Sequence, residues 1–258
     1  MQLIRPDWPA PPWVQACCTT RSGGVSTGVW AGLNLGDHVG DEPRHVARNR
    51  AALRTALNLP ADPLWLNQVH GCTVAQSATA VPGCTADAAV ACRPGAVCAV
   101  LTADCLPLLI CDRRGRRVAA VHAGWRGLAA GVIEGTLKAL GESPADLLVW
   151  LGPAIGPAAF VVGPEVRAAF LAADPAAIGA FQPAAGDRWL ADLFALARAR
   201  LAQAGVTRVY GGGDCTYSDP ERFFSFRRDG VTGRMASLIW LGDSTGSDFF
   251  ASRTNLTP

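Results

Sequence analysis

The sequence has few charged side chains, which make up 17% of its 258 residues, and its formal net charge at pH 7 is only +2. Ordinary soluble domains carry about 25% charged residues, so we expect a large buried interior. A charge of +2 gives no extended positive field that could follow a phosphate backbone, which argues against a general nucleic-acid binder. Half of the residues are hydrophobic, and this composition excludes an intrinsically disordered chain.

The sequence also lacks the uninterrupted apolar segment that a membrane span or a signal peptide needs. Its longest apolar run, 95–111, contains Asp104 and Pro107 and falls short of about 20 residues. Prolines and charges interrupt the first thirteen residues. We therefore expect a cytoplasmic protein with no membrane partner. The nine cysteines agree with this, because their number is odd and no Cys-x-x-Cys pair occurs.

No internal repeat, low-complexity segment or flexible linker divides the chain, so we expect a single domain over residues 1–258. Helical and strand patterns are mixed without a regular β-α-β alternation, which predicts an α/β or α+β fold with mixed sheets. The patterns predict strands over 64–74, 96–111, 117–122, 147–151, 206–210 and 237–241, and helices over 43–57, 127–140, 165–172 and 192–204.

Histidine is scarce, with four in the whole sequence, and His70 and His122 lie beside glycines at the ends of predicted strands. A further polar interruption, Asp104-Cys105, lies inside the long apolar run and needs polar partners there. A hairpin that turns over 113–116 places Pro107 opposite His122. Cys105 is then a diagonal neighbour of His122, at roughly 7–8 Å between backbones and within side-chain reach.

These side chains allow three interpretations. His70, Cys105 and His122 could form a three-ligand zinc site with an open fourth position, which is the catalytic pattern. The same atoms could instead form a nucleophilic Cys105 activated by His122. Asp104 would complete that triad, but strand alternation directs it away from Cys105. Because nothing local directs His70 towards the other two, spacing alone favours ordinary half-buried histidines and a core cysteine.

Seven stretches, in order along the chain, carry a family resemblance. They are TRSGGVS at 20–26, LNLG at 33–36, NQVHG at 67–71, TADCLP at 102–107, HAGWRG at 122–127, LGP at 151–153, and FSFRR at 224–228 with GRM at 233–235. They resemble the YfiH-like family, also named the multicopper polyphenol oxidase or purine nucleoside phosphorylase family. The resemblance implies a layered α-β-β-α fold with mixed sheets, similar to the cytotoxic necrotizing factor hydrolases.

The resemblance also implies roles for particular residues. His70, Cys105 and His122 match the zinc ligands of the family and would be the catalytic centre, while Arg50 and Ser26 match residues near the substrate. One position departs from the pattern. Val161 stands where the family usually has glutamate, so no role of that glutamate is carried over.

Three activities are attached to the family. The first is zinc-dependent phosphorolysis of adenosine, inosine, guanosine and methylthioadenosine, with adenosine deamination at the same site, and it is the function that we expect. Its partners would be a nucleoside and phosphate, and Asp87 is a candidate for proton transfer. The second is an amidase that removes a wrong amino acid from a UDP-muramyl nucleotide. The third, copper-dependent phenol oxidation, is disfavoured because a multicopper centre needs more than four histidines.

A fourth possibility is a binding or scaffold protein with a structural zinc. A structural site normally has four protein ligands. The fourth ligand would then come from His38, Cys72 or a carboxylate. The sequence leaves the oligomeric state open.

Overall fold

The computed structural model describes residues 1–242. This part contains thirteen strands, which are β1 Leu3–Ile4, β2 Val14–Thr19, β3 Val74–Gln76, β4 Ala88–Ala91, β5 Val97–Thr102, β6 Leu106–Asp112, β7 Val118–Ala123, β8 Leu147–Leu151, β9 Val161–Val162, β10 Phe181–Pro183, β11 Trp189–Ala191, β12 Arg208–Gly211 and β13 Met235–Leu241. Its six α-helices are α1 Pro43–Leu57, α2 Trp125–Ala130, α3 Val132–Leu140, α4 Pro164–Ala173, α5 Leu193–Gln203 and α6 Phe226–Asp229. No helix within these residues is long and apolar enough to cross a membrane.

The strands form two large sheets and one small one. The first sheet has the order β1-β2-β13-β5 and is antiparallel throughout. The second has the order β12-β8-β6-β7-β4-β3 and is mixed, because β12 runs parallel to β8 and β3 runs parallel to β4. The small sheet has the order β10-β11-β9.

The two large sheets pack face to face, and helices cover their outer faces. In β13, Leu238 and Trp240 pack with Leu53 of α1, whereas Ile239 packs with Leu109 of the second sheet. The outer face of the second sheet packs against α2 to α5 in a third hydrophobic cluster. Alternate residues of one strand therefore enter different layers. The predicted α-β-β-α layering and α/β class are confirmed.

The single strand predicted over 96–111 is wrong, because this apolar run forms two strands in different sheets. β5 belongs to the first sheet and β6 to the second. The chain crosses between the sheets at 103–105, where Asp104 has a φ of +100°. An extended strand cannot contain this backbone conformation. The crossover therefore places Cys105 at the end of the layer between the sheets.

Two further predicted elements need correction. The strand predicted over 64–74 is mostly a loop, with isolated bridges at Leu64 and Asn67, and regular pairing begins only at Val74. The helix predicted over 127–140 is two helices, because Gly131 has a φ of +98° and separates α2 from α3. The predictions for 43–57 and 147–151 agree with α1 and β8 residue for residue.

Candidate metal centre

Three side chains from three segments meet at the edge of the inter-sheet layer. They are His70 from the loop before β3, Cys105 from the crossover and His122 from β7, and their ligand atoms all lie within 4.8 Å of one another. The rings of His70 and His122 meet edge to face, with centroids 4.7 Å apart. His122 is buried, Cys105 is half-buried and His70 is exposed. The cluster therefore opens towards solvent on the His70 side.

The β6–β7 hairpin brings Cys105 to His122. Pro107 pairs with His122 and Leu106 with Ala123, so the predicted register is confirmed. The backbone N–H of Asp112 donates to Arg117 at 3.1 Å and closes the hairpin. The short turn thus holds the thiol and the imidazole in reach of each other.

Asp87 joins His70 to His122. Its Oδ1 accepts hydrogen bonds from Nδ1 of His122 at 2.8 Å and from the backbone N–H of His70 at 2.9 Å. Its Oδ2 accepts from the N–H of Gly71 at 2.7 Å. Since a carboxylate only accepts, Nδ1 of His122 carries the proton and Nε2 is left as the ligand atom. Asp87 is fully buried and its oxygens are occupied, which suits positioning better than proton transfer.

Backbone strain is concentrated at this cluster. Three non-glycine residues among those described have a positive φ, namely Asn58, His70 and Asp104. Asn58 is the ordinary left-handed end of α1, whereas the other two are a cluster residue and its neighbour. Strained backbone of this kind persists where surrounding bonds enforce it, and it is typical of functional sites.

Asp104 is held in its strained conformation by partners from distant parts of the chain. Its Oδ1 accepts from the hydroxyl of Thr216, and its Oδ2 accepts from the backbone N–H of Arg227, both at 2.6 Å. Its carbonyl accepts from the N–H of Ile155 at 2.9 Å. Sequence reasoning missed these partners. The sequence indicated only that a buried Asp104 needs hydrogen-bond partners. It did not indicate which residues these are, because Thr216 lies 112 positions away.

The electrostatics of the cluster favour an ionised thiol. Burial opposes ionisation of Cys105, but the charges and hydrogen bonds of His122 and His70 outweigh it and lower the pKa of Cys105 to about 6. Burial likewise opposes protonation of His122, yet Cys105 and Asp87 raise the pKa of His122 to about 9. These shifts favour a thiolate at Cys105 with the proton on His122, and an ion bound at Nε2 would replace that proton. The thiolate is the form that binds metals and that attacks electrophiles.

The residues present fit a zinc ion. A thiolate and two imidazoles are typical zinc donors. A Cβ at Gly124 would lie 2.6 Å from Nδ1 of His70 and 3.0 Å from Sγ of Cys105, so this glycine leaves space beside the ligands. Within residues 1–242 no fourth histidine, cysteine or carboxylate joins the group. His38 and Cys72, the candidates for a fourth ligand, are not brought there, and the set corresponds to an open site.

Arg50 and Ser26 lie outside this cluster. Arg50 stacks its guanidinium on Trp65, with Cζ 4.4 Å from the ring centroid, and its Nε donates to the carbonyl of Leu35 at 3.0 Å. The buried Ser26 hydroxyl donates to Asp41 at 2.6 Å. These bonds hold the loop before α1, and the assignment of both residues to substrate binding stays a prediction.

Comparison with known proteins gives one family and several relatives. A family described as multi-copper polyphenol oxidoreductase laccase matches residues 15–242. A relative from Escherichia coli named purine nucleoside phosphorylase YfiH is 55% identical over 242 residues, which covers 93% of this chain and 99% of the relative. A purine nucleoside phosphorylase from Pseudomonas aeruginosa is 57% identical over 241 residues, with 93% and 98% covered.

Solved structures agree with these sequence matches. A Neisseria meningitidis protein superimposes with a TM-score of 0.91 at 50% identity, covering 94% of this chain and 100% of the other. The YlmD protein of Geobacillus stearothermophilus superimposes with a TM-score of 0.81 at 31% identity, covering 91% and 94%. The fold around the His70–Cys105–His122 cluster is therefore shared with these proteins.

Proposed function

Because this chain belongs to the multi-copper polyphenol oxidoreductase laccase family and its relatives are named purine nucleoside phosphorylases, we propose that it is a zinc-dependent purine nucleoside phosphorylase. The observation that carries the proposal is the cluster of His70, Cys105 and His122, whose ligand atoms lie within 4.8 Å of one another. An enzyme with three protein ligands keeps one position for substrate or water. The wider family name does not itself specify the reaction.

In this proposal His70, Cys105 and His122 hold Zn²⁺. The metal would supply a Lewis acid that polarises an oxygen of phosphate or water. Asp87 keeps His122 in the tautomer that offers Nε2, and Cys105 enters as the thiolate. Gly124 leaves room beside the ligands. Copper is the alternative metal, since the same imidazole and thiolate donors also suit copper.

The reaction that we propose is phosphorolysis of adenosine, inosine, guanosine and methylthioadenosine. An oxygen of hydrogen phosphate bonds to C1′ of the sugar, and the bond from C1′ to N9 of the base breaks. The electron pair stays on N9, which takes the proton that phosphate gives up. Adenosine deamination at the same site adds water at C6 and releases ammonia. Arg50 and Ser26 would act on the substrate side.

A second candidate is hydrolysis of an amide in a wrongly loaded UDP-muramyl nucleotide. The observation that favours it is the lowered pKa of Cys105, about 6, since a thiolate beside an imidazolium can attack an amide carbonyl. Phenol oxidation by several copper ions has weaker support. Two of the four histidines, His38 and His45, lie outside the cluster beside Asp37 and Asp41, so a multi-histidine copper centre is not assembled.

The test of the proposed function is a product analysis. The metal-quantified protein is incubated with adenosine, with and without phosphate, and the products are separated by chromatography. We expect adenine and ribose 1-phosphate only with phosphate, and inosine without it. If protein with about one zinc per chain gives neither product, the purine proposal fails and muramyl-peptide nucleotides become the substrates to test.

The site assignment is tested by three variants and two controls. His70→Ala, Cys105→Ala and His122→Ala should each lose zinc and turnover while remaining folded. His45→Ala and Cys72→Ala change the same residue types outside the cluster and should keep both. Full activity and unchanged zinc in Cys105→Ala would contradict the assignment.

We also propose that residues 1–258 act as one domain in the cytoplasm. The three hydrophobic clusters follow one another through the two large sheets, which favours a single folding unit. None of the nine cysteines forms a disulfide, which is typical of a reducing compartment.

A further inference from the structure

Arg234 is a half-buried arginine that forms no ion pair with a carboxylate in the part of the chain that the structure describes. Its Nη1 donates to the carbonyls of Thr232 and Gly233, both at 3.0 Å. No carboxylate within residues 1–242 forms an ion pair with its guanidinium, and neither Nε nor Nη2 makes a hydrogen bond to a described residue. Holding a cation partly away from water is costly unless an anion or several acceptors compensate it. The open edge of this guanidinium therefore points to an anionic ligand.

The segment 33–36 fixes the position of Arg234. The backbone N–H of Arg234 donates to Oδ1 of Asn34 at 2.9 Å, and its carbonyl accepts from the N–H of Leu35 at 3.2 Å. Its side chain lies directly on Gly36, where a Cβ would be 2.7 Å from Cγ of Arg234 and 3.5 Å from Cε1 of His38. A side chain at position 36 would displace the arginine. The arginine is thus held in place before any ligand arrives.

Arg234 is related to the segment that carries Cys105 through α6 and through its charge. Burial lowers the pKa of Arg234, but the negative charges of Cys105 and Asp104 act on it in the opposite direction. Asp104 also accepts the N–H of Arg227, which ties α6 to the same place. The first residue of α6, Phe226, is 58% exposed, and its ring centroid is 5.9 Å from Cζ of Arg234. A chain of contacts through α6 therefore links Arg234 to the crossover that carries Cys105.

A second cation, Arg50, acts on the same histidine, His38. Arg50 donates to the carbonyl of Leu35 and pairs with the exposed Asp37 at 3.2 Å. Burial lowers the pKa of His38, and the charges of Arg234 and Arg50 lower it further against the opposing effect of Asp37. The lowered pKa of His38 favours its neutral imidazole, which can donate one hydrogen bond to an oxyanion.

We propose that Arg234 binds inorganic phosphate beside the His70–Cys105–His122 cluster, with His38 and Arg50 completing the anion site. Nε and Nη2 form the edge of a guanidinium that matches two phosphate oxygens at once. This inference rests on the proposed function, since it locates the phosphate whose oxygen bonds to C1′ while N9 leaves with the proton. It assigns the second substrate to a site built by the LNLG and GRM segments.

The test measures phosphate binding and phosphate kinetics separately in the zinc-loaded enzyme. Binding of inorganic phosphate is followed by isothermal titration calorimetry, and KM is determined for phosphate and for adenosine. In Arg234→Met we expect the Kd and the KM for phosphate to rise about 10–100-fold, because charge-assisted hydrogen bonds are lost. Zinc content should not change. Arg234→Lys, which keeps the charge without the two-pronged edge, should show a smaller rise.

Arg114→Met is the control, because Arg114 is an exposed arginine at the tip of the β6–β7 hairpin, and it should leave both KM values unchanged. Unchanged phosphate binding in Arg234→Met and Arg234→Lys would overturn the inference. So would loss of zinc with equal changes in both KM values, since Arg234 would then only balance the charge of Cys105. If the wild type binds phosphate through Arg234 but cleaves no nucleoside, the anion site stands and the proposed reaction fails.

Discussion

At Gly124 the backbone passes directly beside two of the three cluster side chains. Its φ of −63° and ψ of 156° are ordinary for any residue, so Gly124→Ala should fold normally. The new methyl group would lie 2.6 Å from Nδ1 of His70 and 3.0 Å from Sγ of Cys105. We expect the affinity for zinc to fall at least about tenfold, because displaced ligands hold a metal less tightly. Metal analysis of the purified variant, with circular dichroism for folding, measures this effect.

Gly213→Ala is the matched control for this substitution. No heavy atom lies within 4 Å of the position of its Cβ, so the variant should keep the wild-type zinc content. A Gly124→Ala protein that retains full zinc would show that the ion does not occupy the space between these side chains.

Asp41 is the charged centre of the loop that contains Ser26. Burial favours its neutral form, but hydrogen bonds from Asn34 and Ser26 outweigh this and lower the pKa of Asp41. A carboxylate with a depressed pKa in the folded state stabilises the protein above its unfolded pKa and loses this contribution as the pH falls. Asp41→Asn should therefore cost about 1–3 kcal/mol at pH 7, and less below about pH 4.

Urea unfolding at pH 7 and at pH 3 measures the difference in the free energy of unfolding between wild type and Asp41→Asn. Asp62→Asn is the control, because Asp62 pairs with Arg54 on the surface and exposed pairs contribute little. A difference between wild type and Asp41→Asn that stays constant from pH 7 to pH 3 would contradict the role of the carboxylate charge.

At the residue scale, the sequence predicted the contacts between residues that are close together in the chain. Counting residues along the hairpin predicted the proximity of Cys105 and His122, because a short turn sets the register. His70 was a candidate ligand from the sequence, but only the family resemblance favoured its place there, since its contact with Asp87 depends on how distant strands pair. Arg227 could not be predicted as a partner of Asp104, because α6 and the crossover lie 123 positions apart.

Two helical glycines face the loop that carries His70. Replacing each by alanine distinguishes the effect of a steric clash from the effect of helix propensity. A Cβ at Gly127 in α2 would lie 2.6 Å from the carbonyl oxygen of Gly71, whereas one at Gly135 in α3 would lie 3.4 Å from that of Cys72. Gly127→Ala should destabilise the protein by about 1–3 kcal/mol through the clash and weaken zinc binding by displacing His70. Gly135→Ala should stabilise it by about 0.5–1 kcal/mol.

Urea unfolding of the metal-free variants and zinc titration distinguish these two effects. Equal stabilisation by Gly127→Ala and Gly135→Ala would mean that α2 leaves room for a methyl group beside the loop that carries His70.

At the element scale, burial on both sides of a strand limited the predictions. Every residue of β5 and β6 is buried, so the apolar pattern runs through both strands and hides the change of sheet. Asp104-Cys105 and Pro107 were the visible interruptions, and the change of sheet lies at 103–105. α1 was predicted residue for residue because it has one buried face, with Val46, Leu53 and Leu57 at helical spacing, and a proline at its first turn.

At the scale of the whole molecule, the His70–Cys105–His122 cluster joins three segments, which are the loop before β3, the crossover and β7. Zinc binding should therefore stabilise the folded protein, by about 2.7 kcal/mol when free zinc is 100 times the Kd. For a chain of this length, this corresponds to a rise in Tm of roughly 5–11 °C. Thermal unfolding with zinc and with a chelator measures the shift. Cys105→Ala should abolish it and Cys72→Ala should preserve it, whereas an equal shift in both variants would place the ion elsewhere.

The arrangement of the ligands along the chain has a kinetic consequence. Cys105 and His122 flank a single hairpin, and contacts between nearby residues form sooner during folding than contacts between distant ones. His70 reaches the other two only when Asp87, which precedes β4, is positioned by the pairing of β4 with β7. A refolding chain should thus offer an ion two ligands first, and His70 should be the last of the three to engage.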